Sequence, residues 1–185
     1  MRDVIVETLQ RRNSIDIVDK DGRSPFLAAL SHGVSEVEVY ILGELLLASA
    51  RTDIQTLHED TSFTLAAVML LRKRTSIACL KFLLEAVHCV DLNAHSVGGF
   101  TALQYCAIAN CAEAVALLLH NKDINIDAIA SGAAAGGTAV YLSVMFGTTA
   151  VLRLLVDAGA SIEFPDKYMF YPTGQVSHLV KRTSC

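Results

Sequence analysis

The sequence predicts an all-α protein built from repeated pairs of helices, and three features of the chain support this. Alanine and leucine dominate, while aromatic residues make up only 6% of the chain with no tryptophan, which favours closely packed helices over a β-sandwich. Hydrophobic residues reach 52% and charged residues only 18%, so the 185 residues can bury a substantial core. The third feature is a sequence pattern that recurs four times at nearly constant spacing.

Each of the four copies opens with a serine or threonine ahead of an apolar run. The positions taken as equivalent are Ser24, Thr64, Thr101 and Thr138. Their spacings are 40, 37 and 37 residues. A hydroxyl side chain in this place can accept a hydrogen bond from the free N–H groups of a helix start, and we assign this role to Ser24, Thr101 and Thr138. Pro25 falls at a first helical position, where its missing N–H costs nothing. These positions predict four first helices.

A leucine-rich second helix and a polar-apolar-polar tail follow each first helix. The predicted second helices cover residues 40–47, 79–85, 114–119 and 151–157. The tails cover residues 53–55, 91–94, 123–125 and 161–163. Glycines stand where helices should end, at Gly33, Gly147 and Gly159, and they readily adopt the left-handed conformation that such ends use. Each copy is therefore predicted to be a helix-turn-helix unit.

The helix start Ser24-Pro25-Phe26-Leu27 and the tail Asp91-Leu92-Asn93-Ala94 resemble the ankyrin repeat, whose units share a Thr-Pro-Leu-His-like start and an Asp-Val-Asn-Ala-like tail. The resemblance implies an ankyrin-repeat solenoid of stacked helix-turn-helix units, elongated and curved. It makes residues 1–185 a single array. Its parts are a partial repeat at 1–18, repeats at 19–56, 57–94, 95–127 and 128–164, and a partial repeat or frayed tail at 165–185.

The chain departs from the ankyrin pattern in three places. Family units have about 33 residues, whereas the first two units here are longer, with extra residues expected around 43–47 and 72–76. The turn 127–137, rich in alanine and glycine, is also long and is expected to be a flexible finger. No unit keeps the family's usual His near its helix start. Leu27, Ala67, Gln104 and Tyr141 occupy that region. The hydrogen bonds that this His makes between neighbouring turns are thereby called into question, so we expect a stability below that of the consensus repeat.

Charge and cysteine content indicate the setting in which the protein works. A net charge of −4 leaves no basic footprint for nucleic acid or an anionic membrane, and Arg72-Lys73-Arg74 is interpreted as a solvated helix end. No apolar run approaches the ~20 residues that span a bilayer. The cysteines are odd in number, without a regular framework or a preceding signal peptide, so we expect a reducing cytoplasmic or nuclear location and no secretion. They are Cys79, Cys89, Cys106, Cys111 and Cys185.

Two groups of histidines and cysteines invite a chemical interpretation. His88, Cys89 and His95 lie close in sequence, but they lack the paired spacing of a zinc site, so we expect no metal. Cys106 stands where the ankyrin family places a small buried alanine, which favours a packed thiol. A nucleophile at Cys106 or Cys111 would need a base and an oxyanion site, and no motif supplies either.

Two further patterns are weaker. The run 132–138 looks like a phosphate-cradling loop ahead of a helix, but it lacks the Lys-Ser/Thr ending of a P-loop and follows no convincing strand, so no cofactor is expected. Asn93 and Asn125 stand in the tail, where the ankyrin family can be hydroxylated by an asparagine hydroxylase. We interpret both as turn-stabilising residues.

The ankyrin resemblance implies a non-catalytic module that binds another protein through its turn tips and concave first-helix face. The implied contact residues are Lys20, Asp21, Arg23, Ser31, His32, His58, Glu59, Leu70, Arg72, Val97, Phe100, Ile108, Ala109, Ala134, Gly137, Met145 and Phe146. The apolar members Phe100, Ile108, Met145 and Phe146 either form an interaction patch or pack against neighbouring units and the C-terminal segment. A structural spacer within a larger ankyrin protein is one alternative. An all-α enzyme, which would need a deep pocket, is a weaker one. The chain is expected to be monomeric.

Overall fold

A computed structural model describes residues 15–35, 38–87, 91–131 and 136–162, and these residues form helices and turns without a β-strand. The helices, numbered here in chain order, are α1 Pro25–His32, α2 Val39–Leu47, α3 Ser62–Leu71, α4 Ile77–Ala86, α5 Ala102–Ile108, α6 Ala112–Leu119, α7 Ala139–Met145 and α8 Thr149–Asp157. The predicted all-α fold is confirmed. None of these described helices has the length and apolarity that crossing a bilayer requires.

Hydroxyl side chains begin the four first helices, as predicted, but the second helix start needs a correction. Thr61, and not Thr64, is the N-cap of α3. The Thr61 side chain accepts from the N–H of Thr64, whose own hydroxyl accepts from the N–H of Thr61. The spacings from Ser24 through Thr61, Thr101 and Thr138 therefore become 37, 40 and 37 residues. Two threonines three residues apart can each cap a helix, so sequence left this register ambiguous.

The eight helices of the described residues stack in two layers. The first helices α1, α3, α5 and α7 pack side by side in one layer, and the second helices α2, α4, α6 and α8 pack in the other. Each pair packs on the next, so one apolar core runs through the stack. Its largest fully buried side chains are Phe26, Phe63, Leu27, Leu30, Leu42, Leu45, Leu80, Leu83, Leu103, Leu118, Leu152 and Leu155.

The connections between units repeat one backbone pattern. In each, an N–H of the turn donates to the carbonyl of the residue just before the N-cap, and the donor stands five residues before the N-cap in the first three turns and eight before it in the fourth. The four bonds are Asp19 to Arg23 at 3.0 Å, Thr56 to Asp60 at 3.1 Å, Ser96 to Phe100 at 2.9 Å and Ala130 to Gly137 at 2.9 Å. The long turn 127–137 is thus closed at the same carbonyl position as the shorter ones, from a donor three residues further back. The flexibility predicted for the whole of 127–137 stays a prediction, and residues 132–135 of this turn lie outside the described part.

Extra residues of the first unit lie elsewhere than predicted. We expected them around 43–47, but α2 runs through this segment as a continuous helix. The additional length lies in the connection between α1 and α2, residues 33–38, which is longer than the corresponding connections 109–111 and 146–148. In the second unit the connection 72–76 is long, as predicted.

Several sequence predictions fall outside the described residues. They concern the partial repeat before residue 15, His88 and Cys89, Ala134 with most of the phosphate-loop pattern, and the segment after residue 162.

Candidate functional site

Neighbouring turns are joined edge to edge by hydrogen bonds. The N–H of Leu57 donates to the carbonyl of Asp21 at 3.0 Å, which joins the first two turns. The N–H of Val97 donates to Asp60 Oδ1 at 3.3 Å. The N–H of Ser131 donates to the carbonyl of Gly99 at 2.8 Å. These bonds hold the turn tips in one row beside the first helices.

Gln104 makes hydrogen bonds between neighbouring turns, which the absence of the family's His had called into question. Its Nε2 donates to the carbonyls of Ala128 at 2.8 Å and Gly137 at 3.0 Å, both in the next turn. Its Oε1 accepts from the N–H of Thr101 at 2.9 Å. The side chain is 1% exposed. The matching position in the second unit is Thr64 rather than Ala67, because α3 begins at Ser62.

The first turn contains a cluster of polar side chains bonded to Arg23. The guanidinium of Arg23 pairs with Asp19 at 2.8 Å and Asp21 at 2.6 Å and donates to Ser31 Oγ at 3.4 Å. The pKa of Asp19 lies below its usual range, firstly because the backbone N–H of Arg23 donates to its carboxylate and secondly because the Arg23 side chain does so. Of the implied contacts in this unit, Arg23 therefore binds both Asp21 and Ser31, whereas Lys20 and His32 are exposed.

In the second unit, His58, Glu59 and Arg72 are exposed, and Leu70 is half-buried against the core. Sequence reasoning missed Leu57, whose side chain is 71% exposed at the tip of this turn. A signal existed, because Leu57 precedes its N-cap Thr61 by four residues, as Val97 precedes Thr101. The incorrect start assigned to α3 hid this equivalence.

The third and fourth units contribute apolar side chains. Val97 is 70% exposed, Met145 45% and Phe146 59%. Phe100 and Ile108 are half-buried, as is Ala109. The ring of Phe100 packs against that of Tyr105, with centroids 5.3 Å apart. Gly137 is buried, so its role is structural, and its carbonyl accepts from Ala130 and Gln104. Another exposed apolar residue that sequence reasoning missed is Ile129 in the fourth turn.

The residues considered for chemistry serve the fold. His95 Nε2 lies 2.9 Å from the carbonyl of Ile129, and this contact joins the third turn to the fourth. Across residues 15–35, 38–87, 91–131 and 136–162, no three His, Cys, Asp or Glu side chains group as metal ligands. Cys106 is buried, and desolvation raises the pKa of its thiol, which keeps it protonated. The Asn93 side chain joins two turns, donating to the carbonyl of Asp123 and accepting from the N–H of Asn125.

A shallow groove lies on the opposite side of the stack, between α6 and α8. It is open to solvent, and Arg153 and Asp157 are its ionisable lining residues. The other lining residues are Ala112, Thr149, Ala150 and Leu154.

Comparisons with known proteins agree with this architecture. A family model described as ankyrin repeats (3 copies) matches residues 38–130, slightly more than half of the chain. Among solved structures, the crystal structure of the ankyrin repeat domain of Bcl-3, a unique member of the IkappaB protein family, is similar with a TM-score of 0.74. The identity is 22%, and the match covers 98% of this chain and 78% of that one, a likeness of fold. No curated protein sequence matches the chain.

Proposed function

Because the chain belongs to the ankyrin repeat family, we propose that it is a non-catalytic module that binds a partner protein through its turn tips and the exposed ends of its first helices. One observation carries the proposal. Large apolar side chains at two turn tips and at the end of α7 stay in contact with water. They are Leu57, Val97, Met145 and Phe146, each at least 45% exposed.

The positions of these side chains favour a shared contact surface. Leu57 and Val97 occupy the same place on neighbouring turns, and Met145 and Phe146 end the first helix α7. Covering apolar surface with a partner returns about 25 cal/mol for each Å² removed from water. Hot spots of protein interfaces are usually such a few side chains that become fully desolvated.

The backbone beneath this surface is already ordered. Hydrogen bonds join each turn to the next, and Gln104 fixes the fourth turn to the third unit. A preorganised surface loses little conformational freedom on binding, so more of the contact energy becomes affinity. Cytoplasmic or nuclear placement and a monomeric state belong to the same proposal, and the free thiols of Cys79, Cys106 and Cys111 favour a reducing compartment.

Affinity capture from cell lysate tests the surface. The wild-type chain is compared with the double variant Val97→Asp/Phe146→Asp, after circular dichroism has confirmed equal helicity. The matched control is Leu47→Asp, which makes the same kind of change at an 82% exposed side chain on the second helix α2. We expect one protein to be recovered by the wild type and by the control and to be lost with the double variant.

Two other results would count against the proposal. Equal recovery by the double variant would show that the partner uses another surface. Recovery of nothing by any of the three chains would favour the alternative function, a spacer within a larger ankyrin array.

A further inference from the structure

Three cations stand together on an exposed connection beside the proposed surface. Arg72, Lys73 and Arg74, called here the basic loop, follow α3 directly, and all three residues are exposed. Among the described residues, no hydrogen bond or ion pair engages their side chains. The basic loop adjoins Leu70 at the end of the first helix, so it continues the first-helix edge of the stack.

The backbone of the basic loop is fixed. The N–H of Lys73 donates to the carbonyl of Leu70 at 2.9 Å, and the N–H of Arg74 donates to that of Met69 at 2.8 Å. A Cβ added to Gly33 would lie 2.3 Å from the carbonyl oxygen of Arg74, so the preceding unit presses directly against the basic loop. The three cationic side chains therefore extend from a rigid base.

Lysine is an unfavourable residue at position 73. Lys73 has a φ of +56°, in the left-handed region where a side chain crowds the backbone. The residues that make the same bond after the other first helices are Gly33, Asn110 and Gly147. Glycine or asparagine satisfies this conformation with less strain. Lys73 therefore combines backbone strain with a charge placed between two like charges. Neither feature favours stability, which indicates that the side chain serves binding.

We propose that the basic loop binds an acidic segment of the partner protein, an inference that rests on the proposed function. Guanidinium groups pair with carboxylates through two parallel hydrogen bonds, and an ammonium group adds a third positive charge. The net charge of −4 argues against a long polyanion. Nucleic acid or an anionic membrane is large enough to reach the acidic remainder of the surface, which would repel it. A short acidic segment contacts only the three cations.

Two variants of the full chain separate binding from stability. Lys73→Gly removes one cation together with the strain, and Arg72→Gln/Arg74→Gln removes the two guanidinium charges. Lys81→Gln, at an exposed lysine of α4, is the matched control. The probe is a fluorescent peptide of alternating glutamate and serine, with a glutamine-for-glutamate peptide as its neutral counterpart. Fluorescence anisotropy is measured at low and at physiological ionic strength.

The wild type should bind the glutamate peptide more tightly than the glutamine peptide, and more tightly at low salt. We expect affinity to fall about threefold in Lys73→Gly and about tenfold in the double arginine variant, with no change in the control. Lys73→Gly should at the same time raise Tm by about 2–4 °C. Weaker binding by a more stable protein cannot result from misfolding.

Several outcomes would overturn the inference. These are no preference of the wild type for the glutamate peptide, a change below twofold in both variants, or a lower Tm in Lys73→Gly. Tighter binding of a short RNA duplex or of phosphatidylserine vesicles through the basic loop would assign the site to another class of partner. If the captured partner is lost with Val97→Asp/Phe146→Asp but retained by both basic-loop variants, the proposed function stands and the acidic-segment inference fails.

Discussion

Gln104→Leu should destabilise the stack at the joint between its third and fourth units. The substitution keeps an apolar stem of similar size but removes all three hydrogen bonds of the Gln104 amide. The carbonyl of Gly137 still accepts from Ala130, whereas the carbonyl of Ala128 and the N–H of Thr101 lose these partners. The effect of the substitution is therefore set mainly by two buried backbone groups.

The expected loss in the free energy of unfolding is about 3 kcal/mol. Each buried group left without a partner costs about 1–3 kcal/mol, and the more apolar leucine side chain returns roughly 1 kcal/mol. For a chain of this length, the loss corresponds to a fall in Tm of roughly 6–12 °C. Gln104→His should recover part of the loss, because a ring N–H can donate where the amide did.

Urea unfolding followed by circular dichroism measures the total change, and hydrogen exchange locates it. The amides of Ala130 and Ser131 should lose protection first, because their bonds lie in the turn that Gln104 holds. Gln55→Leu, at an exposed glutamine, is the control and should change stability by less than about 0.5 kcal/mol. A loss below about 1 kcal/mol in Gln104→Leu, or unchanged exchange in this turn, would refute the assigned role of Gln104.

Three further predictions concern the turns and the core. Gly99→Ala should destabilise by roughly 3 kcal/mol in urea unfolding, because its Cβ would lie 2.1 Å from the carbonyl oxygen of Ser131 at a φ of +78°; a loss below about 1 kcal/mol would contradict the close approach. The carboxyl of Asp19 should titrate below the usual aspartate range by NMR, and its titration midpoint should rise in Arg23→Gln. Because the pKa of Asp19 is lowered in the folded state, its stabilising interaction is fully present above the ordinary pKa of aspartate. That interaction is lost as pH falls through the lowered pKa. An unchanged midpoint would remove the Arg23 side chain as a cause and leave the backbone N–H at position 23. Cys106 should resist maleimide in the native state and react only as the chain unfolds, whereas rapid native labelling would contradict its burial.

Local chemistry was sufficient to predict the secondary structure and its repetition. A hydroxyl residue ahead of an apolar run can cap a helix through bonds to its own near neighbours in sequence, and Ser24, Thr101 and Thr138 do so as assigned. Pro25 at a helix start and Gly33 at a helix end act through their own backbone preferences, independently of the rest of the chain. The sequence by itself therefore determined the helices, their pairing into units and the stacked fold.

The register of the second unit needed the tertiary structure. Thr61 and Thr64 are equally able to cap, and their local surroundings do not separate them. The turn decides between them, because the bond from Thr56 N–H to the Asp60 carbonyl places the cap at the next residue, as in the other three units. Correct equivalence then relates Leu57 to Val97, which the sequence had not shown.

The exposure of individual side chains also depended on the tertiary structure. Leu57 and Leu65 have the same hydropathy, yet Leu57 is 71% exposed and Leu65 7% exposed. The difference arises because α3 packs between the neighbouring first helices, while the turn tip lies at the edge of the stack. Gln104 is a similar case: an amide that local pattern would place at the surface is buried between units that only stacking brings together. Sequence determined what each unit is, and contacts between units decided which residues remain free to bind.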